Sequence, residues 1–266
     1  MSEHVSKGAA LVTGASSGIG AVYADRLARR GHDLILVARD TARLEALAAR
    51  LRSETGVTVD VLTADLSTKP DLLKVEQRLR DDPKVTILIN NAGIAVTGSI
   101  LEVDIDKVET LIQVNILAVT RLAAAAARAF APRGEGAIIN IGSVLALAPE
   151  LSGGPYSGSK AYVLNFSQVL ARELAGTGVQ VQAVLPGATR TEIWDRGGRG
   201  IDSVPAEILM DADEMVDAAL AGFDQGELVT IPSLPEVSDW LALDAKRLSL
   251  QPNLSRKHAA TRYRAA

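Results

Sequence analysis

Apolar positions along the chain follow two alternating rhythms. Short, nearly unbroken runs at Ala9 to Val12, Asp33 to Ala38 (DLILVA), Val57 to Thr63, Val85 to Ile89, Ala137 to Ile141 and Val179 to Leu185 read as strands buried on both faces. Between them, apolar residues three and four apart predict helices over about 19–30, 41–54, 71–80, 104–130 and 155–175. A helix over 206–223 and a strand from Leu228 to Ile231 bring the strands to seven. Strand and helix alternating in this order predict an α/β fold, with a doubly wound parallel sheet, helices on both faces and the site at the carboxyl ends of the strands.

The first strand runs into a glycine turn, AALVTGASSGIG from Ala9 to Gly20. Strand, tight turn and helix make a Rossmann-type unit. Glycines let backbone approach a diphosphate, and the helix start offers free N–H groups and a positive dipole end. Gly14, Ser16, Ser17, Gly18, Ile19 and Gly20 are therefore candidate contacts to an anionic dinucleotide. At the end of the second strand, Arg39 suits the 2'-phosphate of NADP, whereas Asp40, one residue on, leaves NAD possible. The third strand ends in Ala64-Asp65-Leu66, and the fourth in Asn90-Asn91-Ala92-Gly93, a turn chemistry suited to backbone beside a ligand.

Candidate chemistry lies further along. Asn115 sits beside the apolar stripe of Leu111, Val114, Ala118 and Leu122, and Ser143 follows the fifth strand, where a reacting group belongs. Tyr156 and Lys160 are four apart on one helical face. An ammonium ~4 Å from a phenol, at an effective dielectric of ~20, interacts by ~4 kcal/mol. That predicts a tyrosine drawn from ~10 towards ~7. The sixth strand ends in Pro186-Gly187, and the polar stretch at 188–205 is too long for a simple connector, so it reads as a substrate loop. There Ile193 and Trp194 could cover an apolar substrate, while Arg190, Arg196 and Arg199 could meet an anion or only water. Val144, Leu145 and Leu147 suggest an apolar pocket.

With 266 residues, 47% of them hydrophobic, one domain over 1–235 is expected, followed by an extension at 236–266 that packs on the same domain or at an interface. A net charge of -4 argues against nucleic acid as a partner. The chain has no cysteine, which excludes disulfides and thiolate chemistry, and His4, His32 and His258 are scattered as surface or terminal residues, so no metal is expected. No apolar signal core is seen at the start, and no later apolar run reads as spanning a membrane, so the expected location is cytoplasmic.

Taken in order, TGASSGIG at 13–20, Asp65, NNAG at 90–93, Asn115, Ser143, YSGSK at 156–160 and PGATRT at 186–191 resemble the short-chain dehydrogenase/reductase family, in its compact single-domain branch. The resemblance covers about residues 8 to 231. It implies an NADP-dependent oxidoreductase that interconverts a small apolar carbonyl and its alcohol, as a homodimer or homotetramer. Tyr156 would be the general acid/base, Ser143 would orient the substrate oxygen, and Lys160 would hold the nicotinamide ribose and lower the tyrosine pKa. Asn115 would hold a water that passes protons to Lys160. Asp65 would meet the adenine amino group, Asn91 the adenosine ribose, and Thr189 and Thr191 the nicotinamide side. Ser17 departs from the basic residue that many NADP-using relatives carry there. Two other classes compete: a cofactor-sensing protein that does no chemistry, and a lyase or dehalogenase without nicotinamide, against which Lys160 and the three glycines speak.

Overall fold

A computed structural model describes residues 6–96, 98–151, 154–197 and 200–264, without the side chains of Asp195 and Arg196. His4 and Arg199 lie outside the described residues. The strands are β1 (Ala9–Thr13), β2 (Asp33–Ala38), β3 (Val59–Thr63), β4 (Val85–Asn90), β5 (Gly136–Ile141), β6 (Val179–Val184), β7 (Thr189–Arg190), β8 (Met210–Asp211) and β9 (Val229–Thr230). The helices of this unit are α1 (Gly18–Arg29), α2 (Thr41–Thr55), α3 (Lys69–Asp81), α4 (Ile105–Ile112), α5 (Val119–Phe130), α6 (Gly154–Glu173), α7 (Ile193–Arg196) and α8 (Ala212–Asp224).

Seven strands form one parallel sheet in the order β3-β2-β1-β4-β5-β6-β9, as the alternating pattern predicts. Strand order reverses between β1 and β4, which opens a crevice above their carboxyl ends. Period-two alternation sends Ala10, Val12, Leu34 and Leu36 to a core with α1, α2 and α8, and Ala9, Leu11, Ile35 and Val37 to a core with α3, α5 and α6. Each fully buried leucine contributes about 1.5–3 kcal/mol to this packing. A buried polar ladder ties the layers together. Asn90 Nδ2 donates to Val119 O (3.3 Å) and Asn140 Oδ1 (2.9 Å), Asn140 Nδ2 to Ser167 Oγ (2.9 Å), and Ser167 Oγ to Val163 O (2.7 Å).

Two elements differ from the sequence reading. The helix expected over 206–223 starts only at Ala212, because Met210–Asp211 pair with Thr189–Arg190 as a separate two-stranded ribbon. Tertiary pairing overrides helical periodicity there. The helix expected over 104–130 is interrupted by a π-helical segment at Gln113–Ala118. By length and composition, Ile105–Arg133 is also long and apolar enough to cross a membrane, contrary to the reading above. Its buried side chains, among them Leu122, Ala126 and Phe130, belong to the sheet core. Residues Ser233–Ala266 form a second compact unit built on α9 (Val237–Leu248).

Candidate active site

The floor of the crevice is the turn after β1. Gly14 and Gly18 have φ of +67° and +53°, and a Cβ on Gly20 would stand 2.3 Å from the Gly14 carbonyl oxygen, so a side chain there is excluded by backbone. Asn91 locks this turn, its Nδ2 donating to Thr13 O (2.9 Å) and Gly14 O (3.3 Å). Thr13 completes the lock. Its Oγ1 donates to Ile89 O (3.1 Å) and accepts from the N–H groups of Asn91 and Ala92 (both 3.0 Å). Helix α1 then opens on Ser17, whose side chain makes no capping bond, with no acidic residue in the first turn. Such a helix start fits an anion, and the residues fit a dinucleotide diphosphate laid across the turn. On the far side, Arg39 is two-thirds exposed and its Nη1 lies 4.0 Å from Asp65 Oδ2. Asp65 Oδ1 accepts from the N–H and Oγ of Ser67 (3.0 and 2.7 Å), and Leu66 beneath is buried.

Across the crevice, the π-helical segment presents Asn115. Its Oδ1 accepts from Ile94 N–H (2.9 Å), and its Nδ2 donates to Ile94 O (2.9 Å) and Ser159 Oγ (3.2 Å). Ser159 Oγ in turn donates to Tyr156 O (2.7 Å), so Asn115 is coupled to the backbone of the tyrosine. Lys160 is buried, donates from Nζ to Ile141 O (2.9 Å) and lies 5.6 Å from the centre of the Tyr156 ring. A Cβ on Gly93 would stand 3.4 Å from Asn115 Oδ1 and 3.6 Å from Lys160 Nζ, so the NNAG turn, Asn115 and Lys160 meet at one point. Ser143, buried at the end of β5, accepts from Leu145 N–H through its Oγ (3.2 Å), and the turn it starts packs against α6. Val144 and Leu145 beside it are half-buried, and Leu147 is exposed.

Beyond β6, Pro186 is buried and Gly187 half-buried, Thr189 Oγ1 donates to Gly187 O (3.2 Å), and Trp194 Nε1 donates to Thr189 O (2.8 Å). Thr191 touches the glycine turn, its Cγ2 3.0 Å from the place of a Gly18 Cβ. Of the loop arginines, Arg190 pairs with Asp211 at 2.9 Å, and the side chain of Arg196 is outside the described residues.

A family model described as short chain dehydrogenase matches residues 8–200. The chain belongs to that family. A solved short-chain dehydrogenase from Sphingobium yanoikuyae, in complex with NADPH, is 54% identical, with a TM-score of 0.94 over 97% of this chain and 100% of that one. The bulky-bulky ketone specific alcohol dehydrogenase from Comamonas testosteroni is 49% identical, with a TM-score of 0.90 over 97% and 99% of the two chains. Among curated sequences, an uncharacterised oxidoreductase from Staphylococcus saprophyticus is 31% identical over 84% of this chain and 93% of its own length.

In this dehydrogenase burial opposes the acidic tyrosine expected from sequence. Although Tyr156 keeps some contact with solvent, burial pushes its phenol up to about 12. Burial also pulls Lys160 down from 10.5 to about 8. The cause is desolvation: the phenol loses water on burial, while the ammonium, 5.6 Å from the ring centre, donates to Ile141 O (2.9 Å). A second correction concerns His32, read as a surface residue. The residue is half-buried in the turn between α1 and β2, its Nδ1 has no hydrogen-bond partner among the described residues, and burial lowers its pKa. Thr13, Asn90 and Ser159 stand in the sequence motifs without a role of their own and Asn140 in none, yet these polar groups hold the site. Polar residues at the ends of otherwise apolar strands were the available signal, since buried polar groups have partners.

Proposed function

We propose that this dehydrogenase reduces apolar, bulky ketones with NADPH, with Tyr156 as the proton donor. The convergence of Gly93, Asn115, Lys160 and Tyr156 at the open end of the sheet carries the reading. A bound dihydronicotinamide supplies the hydride to the carbonyl carbon. The chain supplies the rest. Ser143 Oγ donates to the carbonyl oxygen as charge develops there, and Tyr156 gives that oxygen its proton. A phenol held up at about 12 is protonated at neutral pH, which suits reduction. Lys160, at about 8, is close enough to neutrality to return a proton to the tyrosine. The side-chain amide of Asn115 is held by Ile94 and Ser159, which fixes it at the lysine end of the crevice, where a relay water would serve Lys160.

Arg39 supports NADP over NAD, as does the NADPH held by the 54% identical relative. Val144, Leu145, Ile193 and Trp194, partly buried around the crevice, support an apolar substrate, in keeping with the ketone named for the 49% identical relative. Exposed Ile105, Ile112 and Leu117 on one helical run support self-association as a dimer or tetramer. The test is NADPH oxidation over a panel of aryl and dialkyl ketones by the wild type and Y156F. The substitution should lower kcat by at least about 100-fold and leave NADPH affinity unchanged. Undiminished turnover would refute the role of Tyr156, and NADPH binding without turnover on any ketone would favour a cofactor sensor.

A further inference from the structure

The segment after β6 is a strap across the crevice. At its root, Met210 N–H donates to Ala188 O (2.9 Å) and Arg190 Nε to Asp211 Oδ1 (2.9 Å), which fixes it along β8. At its far end, α7 stops against the loop after β4, where a Cβ on Gly197 would stand 3.2 Å from Ala95 Cβ. Between these ends Thr191 lies on the glycine turn. A further hold is ionic and joins residues 149 apart in sequence. Arg43 Nη1, in the first turn of α2, donates to both Oε1 and Oε2 of Glu192 at 2.8 Å. Asp40 aims that arginine, since its Oδ1 accepts from Arg43 N–H (3.0 Å) and its Oδ2 lies 3.4 Å from Arg43 Nε.

The ion pair therefore connects the Arg39 side of the crevice to the strap, with the glycine turn beneath. We propose that Arg43 and Glu192 form a clasp that keeps residues 189–197 closed over the bound dinucleotide and sets the rate at which it leaves. Both are positioning residues, and the proposal rests on the reading that the crevice binds a dinucleotide. Their side chains are 48% and 44% exposed, so the pair is weak, screened by salt and able to open in each turnover. Because the clasp holds the strap and not the 2'-phosphate, it acts on NADPH and NADH alike.

The experiment is stopped-flow release of NADPH and of NADH from the wild type, E192Q, R43Q and the double variant, together with amide exchange of 189–197 in the cofactor-free protein. E192Q should release both dinucleotides about two- to fivefold faster, the range that an exposed ion pair commands. In the cycle measured with NADH, where Arg43 has no phosphate to meet, the double variant should be no faster than the faster single one. Strap amides should exchange faster in E192Q than in the wild type. Wild-type release rates and exchange in E192Q would overturn the clasp. So would tighter NADPH binding with NADH unchanged, which would make Glu192 a competitor for an arginine serving the phosphate. A wild type that binds neither dinucleotide refutes the proposed function instead, and the exchange comparison still decides whether Glu192 holds the strap.

Discussion

Lys160 carries a charge that the fold makes expensive, and K160M measures the cost. Burial lowers its pKa from 10.5 to about 8, which at about 1.4 kcal/mol per pH unit amounts to about 3 kcal/mol. The sign follows from proton counting. Between pH 8 and 10.5 the unfolded chain binds the proton that the folded chain has lost, so folding stability rises with pH across that window and is lowest below it. The wild type should therefore gain about 2–3 kcal/mol between pH 7 and pH 10 relative to K160M, since other titrating groups act on both proteins. Losing the bond to Ile141 O costs K160M about 1–3 kcal/mol, but that cost is independent of pH and leaves the slope untouched. Urea denaturation of both proteins at three pH values reads the difference. Stability curves that run parallel from pH 7 to 10 would mean that Lys160 keeps an ordinary pKa, and its place as a near-neutral proton source would fall with it.

Three further outcomes follow from the geometry. R39A should raise the Kd for NADPH about tenfold and leave NADH unchanged, by fluorescence titration, and equal losses for both would remove Arg39 from the phosphate site. G20A places a Cβ 2.3 Å from the Gly14 carbonyl oxygen, so it should lose about 1–3 kcal/mol of stability and its dinucleotide affinity, and a wild-type melting curve with intact binding would contradict the tight turn. Y23F removes a fully buried hydroxyl that has no partner among the described residues and should stabilise the fold by about 1 kcal/mol in urea, whereas a loss would mean that the hydroxyl is held by an internal water.

The sheet was legible because β1, β2, β4 and β5 are largely buried on both faces, so each is a nearly unbroken apolar run. The glycine turn and Asn115, Ser143, Tyr156 and Lys160 stand out in the sequence as candidates because backbone approach and proton transfer demand particular residue types at particular spacings. What could not be read depends on contacts between distant residues. Met210–Asp211 have no strand pattern of their own and become β8 only by meeting Thr189–Arg190. The bonds from Asn91 Nδ2 to Thr13 and Gly14 had no signal in the sequence, because they depend on β1 and β4 lying side by side. The acidity of Tyr156 could not be read because helical spacing shows that two residues share a face, but not how much water the fold removes from the phenol.

The π-helical segment at Gln113–Ala118 means that one helical rod contains a phase slip. An extra residue would turn a regular helix by about 100°, and the wider π turn absorbs it, so the half that carries Leu122, Ala126 and Phe130 and the half that carries Val108 and Leu111 both keep their seats. Deleting a single residue there would close the rod into regular α-helix with both halves still seated, and only the bulge would be lost. Asn115 sits at the joint, and its grip on Ile94 and Ser159 would be the first thing such a shortened chain gives up.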